Sequence, residues 1–313
     1  MSQIKIHNPG FLTTVQDAGR YGYSHFGISA SGAADPVSLR IGNFLVGNDR
    51  NAAALEMTLI GGEFEFETDT IISVTGSDFH PQIEGENVPL WTTVEIKGGQ
   101  KLKFASTTGG ARCYLCVRGG INVPKVFGSS STHLLTGIGG FNGRQLKKDD
   151  VLFYTALKEE IIFYELRHDI IEKLSERKFI RVTEAPQTDH FSKETLDIFS
   201  STPYIVAEET NRMGLRLSGK ELKRINNKDI ITEGVSLGEI QVSHYGKPII
   251  LFVEHQTTGG YPKIANVISA DIHKIGQLRP RDEIRFLFIS LDEAHQQRLY
   301  LESLISKTSF VKI

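Results

Sequence analysis

The chain has 313 residues, with 35 basic and 37 acidic side chains, which is long enough for about two domains of nearly balanced charge. No basic block indicates nucleic-acid binding, and no apolar run of roughly 18 residues indicates a membrane span. The amino terminus lacks the apolar core of a signal peptide. We therefore expect a cytoplasmic protein that acts on a small molecule or a protein partner.

Residues 10–20 predict a short strand that runs into polar side chains between glycines. Gln16, Asp17 and Arg20 cluster at its end. Arg20 could bind an anion through two parallel N–H groups, or it could form an ion pair with Asp17 that holds the loop. Both interpretations stay open at this level.

One helix and a series of short strands follow. Asp35 and Pro36 have the pattern of an N-cap and the first residue of a helix. From Glu63 to Arg118, short alternating segments are separated by turn residues. Strands this short at this spacing predict a β-barrel or a β-sandwich.

The two cysteines, Cys113 and Cys116, have the CxxC spacing of redox and metal sites. However, they lie in a predicted strand, where residues three apart point to opposite faces. No second Cys/His pair completes a zinc site. We predict buried structural thiols and no metal site.

The glycine-rich segments do not predict a nucleotide-binding loop. The segment 137–142 ends in Asn where a dinucleotide fingerprint needs its last glycine. Neither Gly219-Lys220 nor Gly246-Lys247 is followed by Ser or Thr, as a phosphate loop requires. The chain therefore carries no standard nucleotide cradle.

Between Lys158 and Arg177 the composition becomes charged and favours helix, which predicts a domain boundary. We place an amino-terminal β domain at 1–170 and a carboxy-terminal β domain with a terminal helix at 171–313. Within the second domain, the pattern predicts helices over 189–199 and 291–306.

Residues 247–262 carry the clearest local signal. The apolar run that begins at Pro248 predicts a strand buried on both faces. It ends in Gln256, Thr257 and Thr258, followed by Gly259-Gly260. Polar groups at the end of a rigid strand are typical of a binding site. A tight turn that carries polar side chains without a binding role has the same pattern.

Several motifs, in order along nearly the whole chain, resemble one family. They are 13–17 (TTVQD), 31–36 (SGAADP), 54–56 (ALE), 119–121 (GGI), 128–132 (GSSST), 211–217 (NRMGLRL) and 256–262 (QTTGGYP). The chain resembles the C subunit of bacterial ATP-dependent 5-oxoprolinase, also called the KipA or biotin-dependent carboxyltransferase family. That family is similar to part of the carboxyltransferase domain of urea carboxylase.

The resemblance implies a mainly β protein with two cyclophilin-like β-barrel domains. It implies a complex with a KipI-like B subunit and a LamB/YcsF-like A subunit. The implied reaction opens the lactam of 5-oxoproline to L-glutamate, coupled to hydrolysis of ATP that the complex binds. The chain departs from the usual pattern at Ser243-His244, where the family often has two prolines, and at His255, where it often has Arg.

We predict roles for the polar clusters in this reaction. Arg212 or Arg20 would bind the substrate carboxylate. Glu56 or Asp17 would act as a base, or either would simply satisfy backbone groups. Lys263 would be either a pocket cation or a solvated charge. The predicted catalytic residues are Arg212, Gln256, Thr257 and Glu56, and the predicted substrate-binding residues are Gln16, Asp17, Arg20, Asn211, Thr258 and Lys263. We further predict that Arg212, Gln256 and Thr257 line one concave site at a barrel rim.

Two other functions stay open. One is a carboxyltransferase that uses carboxybiotin; neither Met57 nor Met213 is followed by Lys, so the biotin would have to arrive on another protein. The other is a KipA-like regulatory protein that binds a KipI-like inhibitor of a histidine kinase.

Overall fold

The structure, a computed structural model, describes residues 1–157, 160–226 and 230–313. They divide into two compact units, one of residues 1–20, 31–172 and 305–313 and one of residues 21–30 and 173–304. The main division lies close to the predicted boundary at residue 170. Unlike the predicted second domain, 171–313, the second unit does not include the last residues of the chain. Residues 158–159 of the predicted boundary segment lie outside the described residues.

The first unit consists mainly of short strands. In chain order its elements up to residue 166 are β1 (Ser2–Asn8), β2 (Leu12–Gln16), α1 (Pro36–Leu45), β3 (Ala54–Thr58), β4 (Glu63–Phe66), β5 (Thr70–Gly76), β6 (Gln82–Ile83), β7 (Glu86–Asn87), β8 (Thr93–Ile96), β9 (Lys101–Lys103), β10 (Arg112–Val117), β11 (Ile121–Asn122), β12 (Val151–Tyr154) and β13 (Tyr164–Leu166). One sheet has the order β11-β12-β1-β4-β9-β6-β7 and the other β2-β3-β10-β5-β8.

Alternation of apolar residues builds the core of this unit. In β4 the two phenylalanines, Phe64 and Phe66, are fully buried, and the two glutamates between and before them are not. Strand β10 is buried on both faces, because Leu115 faces the main core while Cys116 packs with Leu39 of α1.

The predicted burial of the two thiols is confirmed. Cys113 and Cys116 are free and fully buried in β10. Burial raises the pKa of the Cys116 thiol to about 12, and it also raises the pKa of the Cys113 thiol. Both groups therefore remain protonated and act as small apolar side chains.

The predicted start of α1 is also confirmed. The Asp35 carboxylate accepts hydrogen bonds from the backbone N–H groups of Val37 at 3.1 Å and Ser38 at 2.9 Å. Pro36 takes the first helical position. The helix is held to the sheet by the Ser73 hydroxyl, which donates to the carbonyl of Gly42 at 2.8 Å.

The second unit contains a closed barrel. The next elements in chain order are α2 (His168–Ser175), β14 (Phe179–Glu184), α3 (Lys193–Ser201), β15 (Tyr204–Val206), β16 (Gly214–Ser218), β17 (Glu233–Gly234), β18 (Glu239–Val242), β19 (Pro248–Leu251), β20 (Thr258–Gly259), β21 (Lys263–Val267), α4 (Ile272–Gly276), β22 (Glu283–Phe288) and α5 (Leu291–Leu304). The barrel order is β14-β21-β18-β19-β16-β15-β22, and the parallel pairing of β14 with β22 closes it.

Large apolar side chains fill this barrel. Ile240, Ile250 and Phe286 are almost fully buried, and the Phe286 ring stacks on Phe199 of α3 at 4.4 Å between centroids. The mainly β fold class and the presence of a β-barrel are thus confirmed. The first unit differs in form, because most of its strands make two open sheets of seven and five strands.

The predicted apolar strand is β19, which pairs with β16 on one side and β18 on the other. A strand with neighbours on both sides has no exposed edge. The two predicted helices of this unit correspond to α3, capped by the Ser192 side chain, and α5.

The last strand, β23 (Phe310–Lys312), pairs with β13 of the first unit. The ring of Phe310 also stacks on Phe44 of α1 at 4.0 Å between centroids. These contacts explain why residues 305–313 belong to the first unit. Among the helices of the described ranges, none is long and apolar enough to cross a membrane.

Candidate functional site

A cavity of about 510 Å³ lies on the second unit, against β16, β18 and β19. A volume of this size suits a small molecule. Its lining combines cations, amides and hydroxyls with apolar side chains. Its polar residues include Asn211, Arg216, Gln241, Ser243, Lys247 and Gln256.

Strand register places this cavity on the outer face of the barrel. Arg216 pairs with Ile249, Ile249 pairs with Gln241, and all three line the cavity. The neighbouring row, centred on Ile250, is buried in the barrel core. Because side chains alternate along a strand, the two rows face opposite sides. This cavity therefore lies on a strand face, whereas the sequence predicts a site at a barrel rim.

Two glutamine side chains are linked in the cavity wall. Gln256 Nε2 donates to Gln241 Oε1 at 3.3 Å. Gln241 is only 2 % exposed, and its Nε2 has no hydrogen-bond partner among the described residues. A Cβ at Gly259 would lie 2.5 Å from that nitrogen. The backbone at Gly259 therefore closes over the Gln241 amide, and a larger residue there would collide with it.

Arg212 does not line the cavity, because it forms a buried ion pair with Glu254. Its Nε donates to Glu254 Oε1 at 2.5 Å, and the two side chains are 5 % and 2 % exposed. The backbone N–H of Glu254 donates to the carbonyl of Arg212 at 2.8 Å. Arg212 is predicted to bind the carboxylate of a substrate, and in the structure its Nε binds the carboxylate of Glu254.

The structure separates the other predicted residues of this unit. Asn211 and Gln256 line the cavity. Thr257 is half-buried outside the lining, and its carbonyl accepts from the backbone N–H of Val235 at 3.0 Å. Thr258 is exposed in β20. Of the trio predicted to share one concave site, Gln256 alone lines this cavity.

Lys263 is neither a cavity-lining cation nor a solvated charge. It is 1 % exposed, and its ammonium group is bound to the Glu233 carboxylate. Glu239 lies nearby with its Oε2 buried and without a hydrogen-bond partner in the described part of the chain. Burial raises the pKa of Glu239, against the opposing charge of Lys263.

In the first unit, Asp17 and Arg20 hold one loop to another. The Asp17 carboxylate accepts from the hydroxyls of Ser129 at 2.6 Å and Ser131 at 2.5 Å, and from the backbone N–H of Ser130 at 2.6 Å. The buried guanidinium of Arg20 donates to the Ser131 carbonyl. These contacts give both predicted residues a structural role.

Gln16 and Glu56 are likewise committed to the fold of the first unit. Gln16 is fully buried, and its Nε2 donates to the Thr132 carbonyl at 3.1 Å. Glu56 Oε2 accepts from the backbone N–H of Ala34 at 2.8 Å and from the Tyr114 hydroxyl at 2.6 Å. A carboxylate that holds these two buried donors anchors the fold, which is the alternative predicted for Glu56 beside a role as a base.

Two cations of the cavity lining, Arg216 and Lys247, are not among the predicted site residues. Arg216 lies in β16, whose exposed positions alternate with buried ones, and this alternation was the available signal. Lys247 stands just before β19, and its ammonium group donates to the Gly219 carbonyl at 2.9 Å. Within the described ranges, no three His, Cys, Asp or Glu side chains come together as a metal site would require.

Comparison with known proteins shows where this fold occurs. Residues 26–288 match the family described as carboxyltransferase domain, subdomain A and B. The chain is 40% identical to the C subunit of 5-oxoprolinase from Escherichia coli (strain K12), over 96% of this chain and 97% of that protein. It is 36% identical to urea amidolyase of Saccharomyces cerevisiae over 93% of this chain but only 17% of that protein. The solved structure of Kluyveromyces lactis urea amidolyase matches with a TM-score of 0.89 at 31% identity, over 99% of this chain and 21% of that one.

The fold and these matches define a carboxyltransferase-type domain. Within that class, the chain belongs to the family of the 5-oxoprolinase C subunit, which it matches from end to end. By contrast, it spans only a small part of the urea amidolyases that share its fold.

Replacing Arg212 should destabilise the protein. Arg212→Ala removes the guanidinium that is paired with the buried Glu254 carboxylate, and we expect a loss of about 3–5 kcal/mol in the free energy of unfolding. Urea denaturation followed by circular dichroism measures it. The matched control is Arg281→Ala, whose pair with Glu208 is exposed and should contribute less than about 1 kcal/mol. Equal, small losses in both variants would contradict a structural role for Arg212.

Glu239 should make stability depend on pH. Its pKa in the folded state is raised above the ordinary value of 4.5, so the folded protein keeps this proton to higher pH than the unfolded chain. Stability from this group therefore falls as the pH rises from about 4.5 through the folded pKa. We expect Glu239→Gln to remove this fall. The urea midpoint of the variant should therefore rise relative to that of wild type between pH 4 and pH 7.

The control for this measurement is Glu283→Gln, on β22 of the same barrel, where the carboxylate is about half exposed. It removes one carboxylate from the surface of the barrel and so controls for the loss of a negative charge. A Glu239→Gln profile that runs parallel to wild type would show that burial of Glu239 does not govern its titration.

Proposed function

We propose that this chain is the C subunit of an ATP-dependent 5-oxoprolinase in the cytoplasm. In this proposal, the enzyme opens the lactam of 5-oxo-L-proline to L-glutamate while ATP is hydrolysed. The chain works only in a complex with a KipI-like B subunit and a LamB/YcsF-like A subunit. The observation that carries the proposal is the 40% identity over 97% of the length of the E. coli 5-oxoprolinase C subunit.

The chemistry of the cavity supports a small polar substrate of this kind. A lactam is an unreactive amide, so cleavage of its C–N bond requires activation of the carbonyl group, for which ATP can supply a phosphoryl group. The chain carries no standard nucleotide loop, so we assign ATP binding to the complex. This protein would contribute cations and amide groups, such as Arg216 and Gln256, that bind and orient the substrate.

We expect the purified chain alone to have no 5-oxoprolinase activity. Co-expression with the KipI-like and LamB/YcsF-like proteins should yield a complex that forms glutamate from 5-oxoproline only when ATP is present. The measurement is glutamate and phosphate release by the chain, by its two partners without it and by the three proteins together. Robust turnover by the isolated chain would contradict the dependence on the complex.

A second candidate function is transfer of a carboxyl group from carboxybiotin. The match of residues 26–288 to a carboxyltransferase domain and the 36% identity to a urea amidolyase favour it. Under this alternative, a separate biotin-bearing protein would deliver the carboxyl group, and the cavity would receive the acceptor.

Avidin separates the two functions, because it sequesters biotin and its carboxylated form. For the proposed oxoprolinase, activity of the reconstituted complex should be unchanged by excess avidin. The control is avidin that has been saturated with free biotin. Loss of activity with avidin, and not with the saturated control, would favour the carboxyltransferase and count against the proposal.

A further inference from the structure

We propose that the cavity on β16, β18 and β19 recognises a lactam that bears a carboxylate, through two contacts. The Gln256 carboxamide pairs with the amide edge of the lactam, and the Arg216 guanidinium binds its carboxylate. The inference rests on the proposed function, since 5-oxoproline is such a molecule. It assigns substrate recognition to side chains of this protein and to the outer face of its barrel.

The first contact follows from the shape of a lactam. The ring holds the amide in the cis form, so its N–H and C=O groups lie on the same edge. A primary carboxamide also presents a donor and an acceptor on one edge, so the two can form a pair of hydrogen bonds. Gln256 lines the cavity, and one of its N–H groups is already used by Gln241 at 3.3 Å. Its second N–H and its Oε1 have no partner among the described residues and can face a ligand.

The buried side chain of Gln241 orients Gln256. Gln241 lies in β18, is 2 % exposed, and turns its Oε1 towards Gln256. Gly259 closes over its Nε2, so the Gln241 amide has little room to move. The Gln241 Nε2 remains buried without a partner in the described residues. Such an unsatisfied donor is unfavourable, and its presence beside a cavity is typical of a functional site. One N–H group of Gln256 is therefore held by a fixed acceptor, the Oε1 of Gln241.

Arg216 supplies the cation of the proposed site. Arg216 and Gln241 lie in one row of the sheet with Ile249 between them. Two strand spacings separate their Cα atoms by roughly 10 Å. Arg216 is exposed in the cavity lining and has no ion pair within the described part of the chain. Its guanidinium can therefore bind a carboxylate through two parallel N–H groups. The cavity volume of about 510 Å³ is large enough for a five-membered ring.

Ligand fragments test the two contacts separately. The probes are 5-oxoproline and 2-pyrrolidinone, which has the same lactam without the carboxylate. The variants are Arg216→Met and Gln256→Leu, with Gln256→Glu as the isosteric form that loses a donor. Arg285→Met, on the outer face of β22, is the control. Binding is measured by ligand-observed NMR titration of the full chain and of the complex co-purified with its two proposed partners.

The expected pattern is specific to each contact. Arg216→Met should weaken 5-oxoproline binding at least about tenfold and leave 2-pyrrolidinone unaffected. Gln256→Leu should weaken both probes to a similar degree. Gln256→Glu should also weaken both, and it should weaken 5-oxoproline more because its added negative charge repels the carboxylate. Arg285→Met should change neither. The inference is overturned if 5-oxoproline binds neither the chain nor the complex, if Arg216→Met weakens both probes equally, or if the Gln256 variants bind as wild type does.

This failure can be told apart from failure of the proposed function. If the wild-type complex turns over 5-oxoproline and the Arg216 and Gln256 variants keep its KM, the proposed function stands and the recognition site lies elsewhere. If the wild-type complex has no turnover while both probes follow the expected pattern, the cavity recognises a carboxylated lactam and the proposed reaction is wrong.

Discussion

The register of three antiparallel strands, β16, β19 and β18, is the constraint on which the candidate site depends. It aligns Arg216, Ile249 and Gln241 in one row and places Ile250 in the next row. Because the row of Ile250 must be buried to close the barrel core, the other row must face outwards. A slip of one residue would send the cavity side chains into the core. Packing of the core and geometry of the site are therefore set by the same hydrogen-bonded pairs.

The buried pair of Arg212 and Glu254 supports the same register from the strand ends. Arg212 precedes β16, and Glu254 follows β19, 42 positions later in the chain. Their side chains are ion-paired, and their backbones share a hydrogen bond of 2.8 Å. Such a pair contributes little net stability compared with an apolar contact, but it penalises any arrangement that separates its members. This makes it suited to fixing how the two strands that carry the cavity lie against each other.

Local patterns predicted much of the fold. The Asp35-Pro36 start of α1, the buried thiols of β10 and the apolar strand β19 each follow from a few neighbouring residues. The site was less predictable, because the fate of a polar side chain depends on distant partners. A sequence does not show that Arg212 meets Glu254, or that Asp17 meets the serines of residues 129–131. Gln256 was predicted from its place at the end of the apolar strand. Asn211 and Arg216 both lie in the motif 211–217, but the strand register was needed to show that Arg216 faces the cavity.

The contents of the cavity indicate binding and orientation of a substrate more than bond cleavage. Its polar lining consists of amides, hydroxyls and cations, with Glu209 as its acidic member. Both thiols of the chain are buried with a raised pKa, so neither can act as a nucleophile. The carboxylates of Asp17 and Glu56 are occupied by donors of the fold. In the proposed reaction the lactam carbonyl must be activated, and these groups would hold the substrate without activating it. This arrangement suits one component of a larger enzyme, because one protein can supply the binding surface while another supplies the reacting groups.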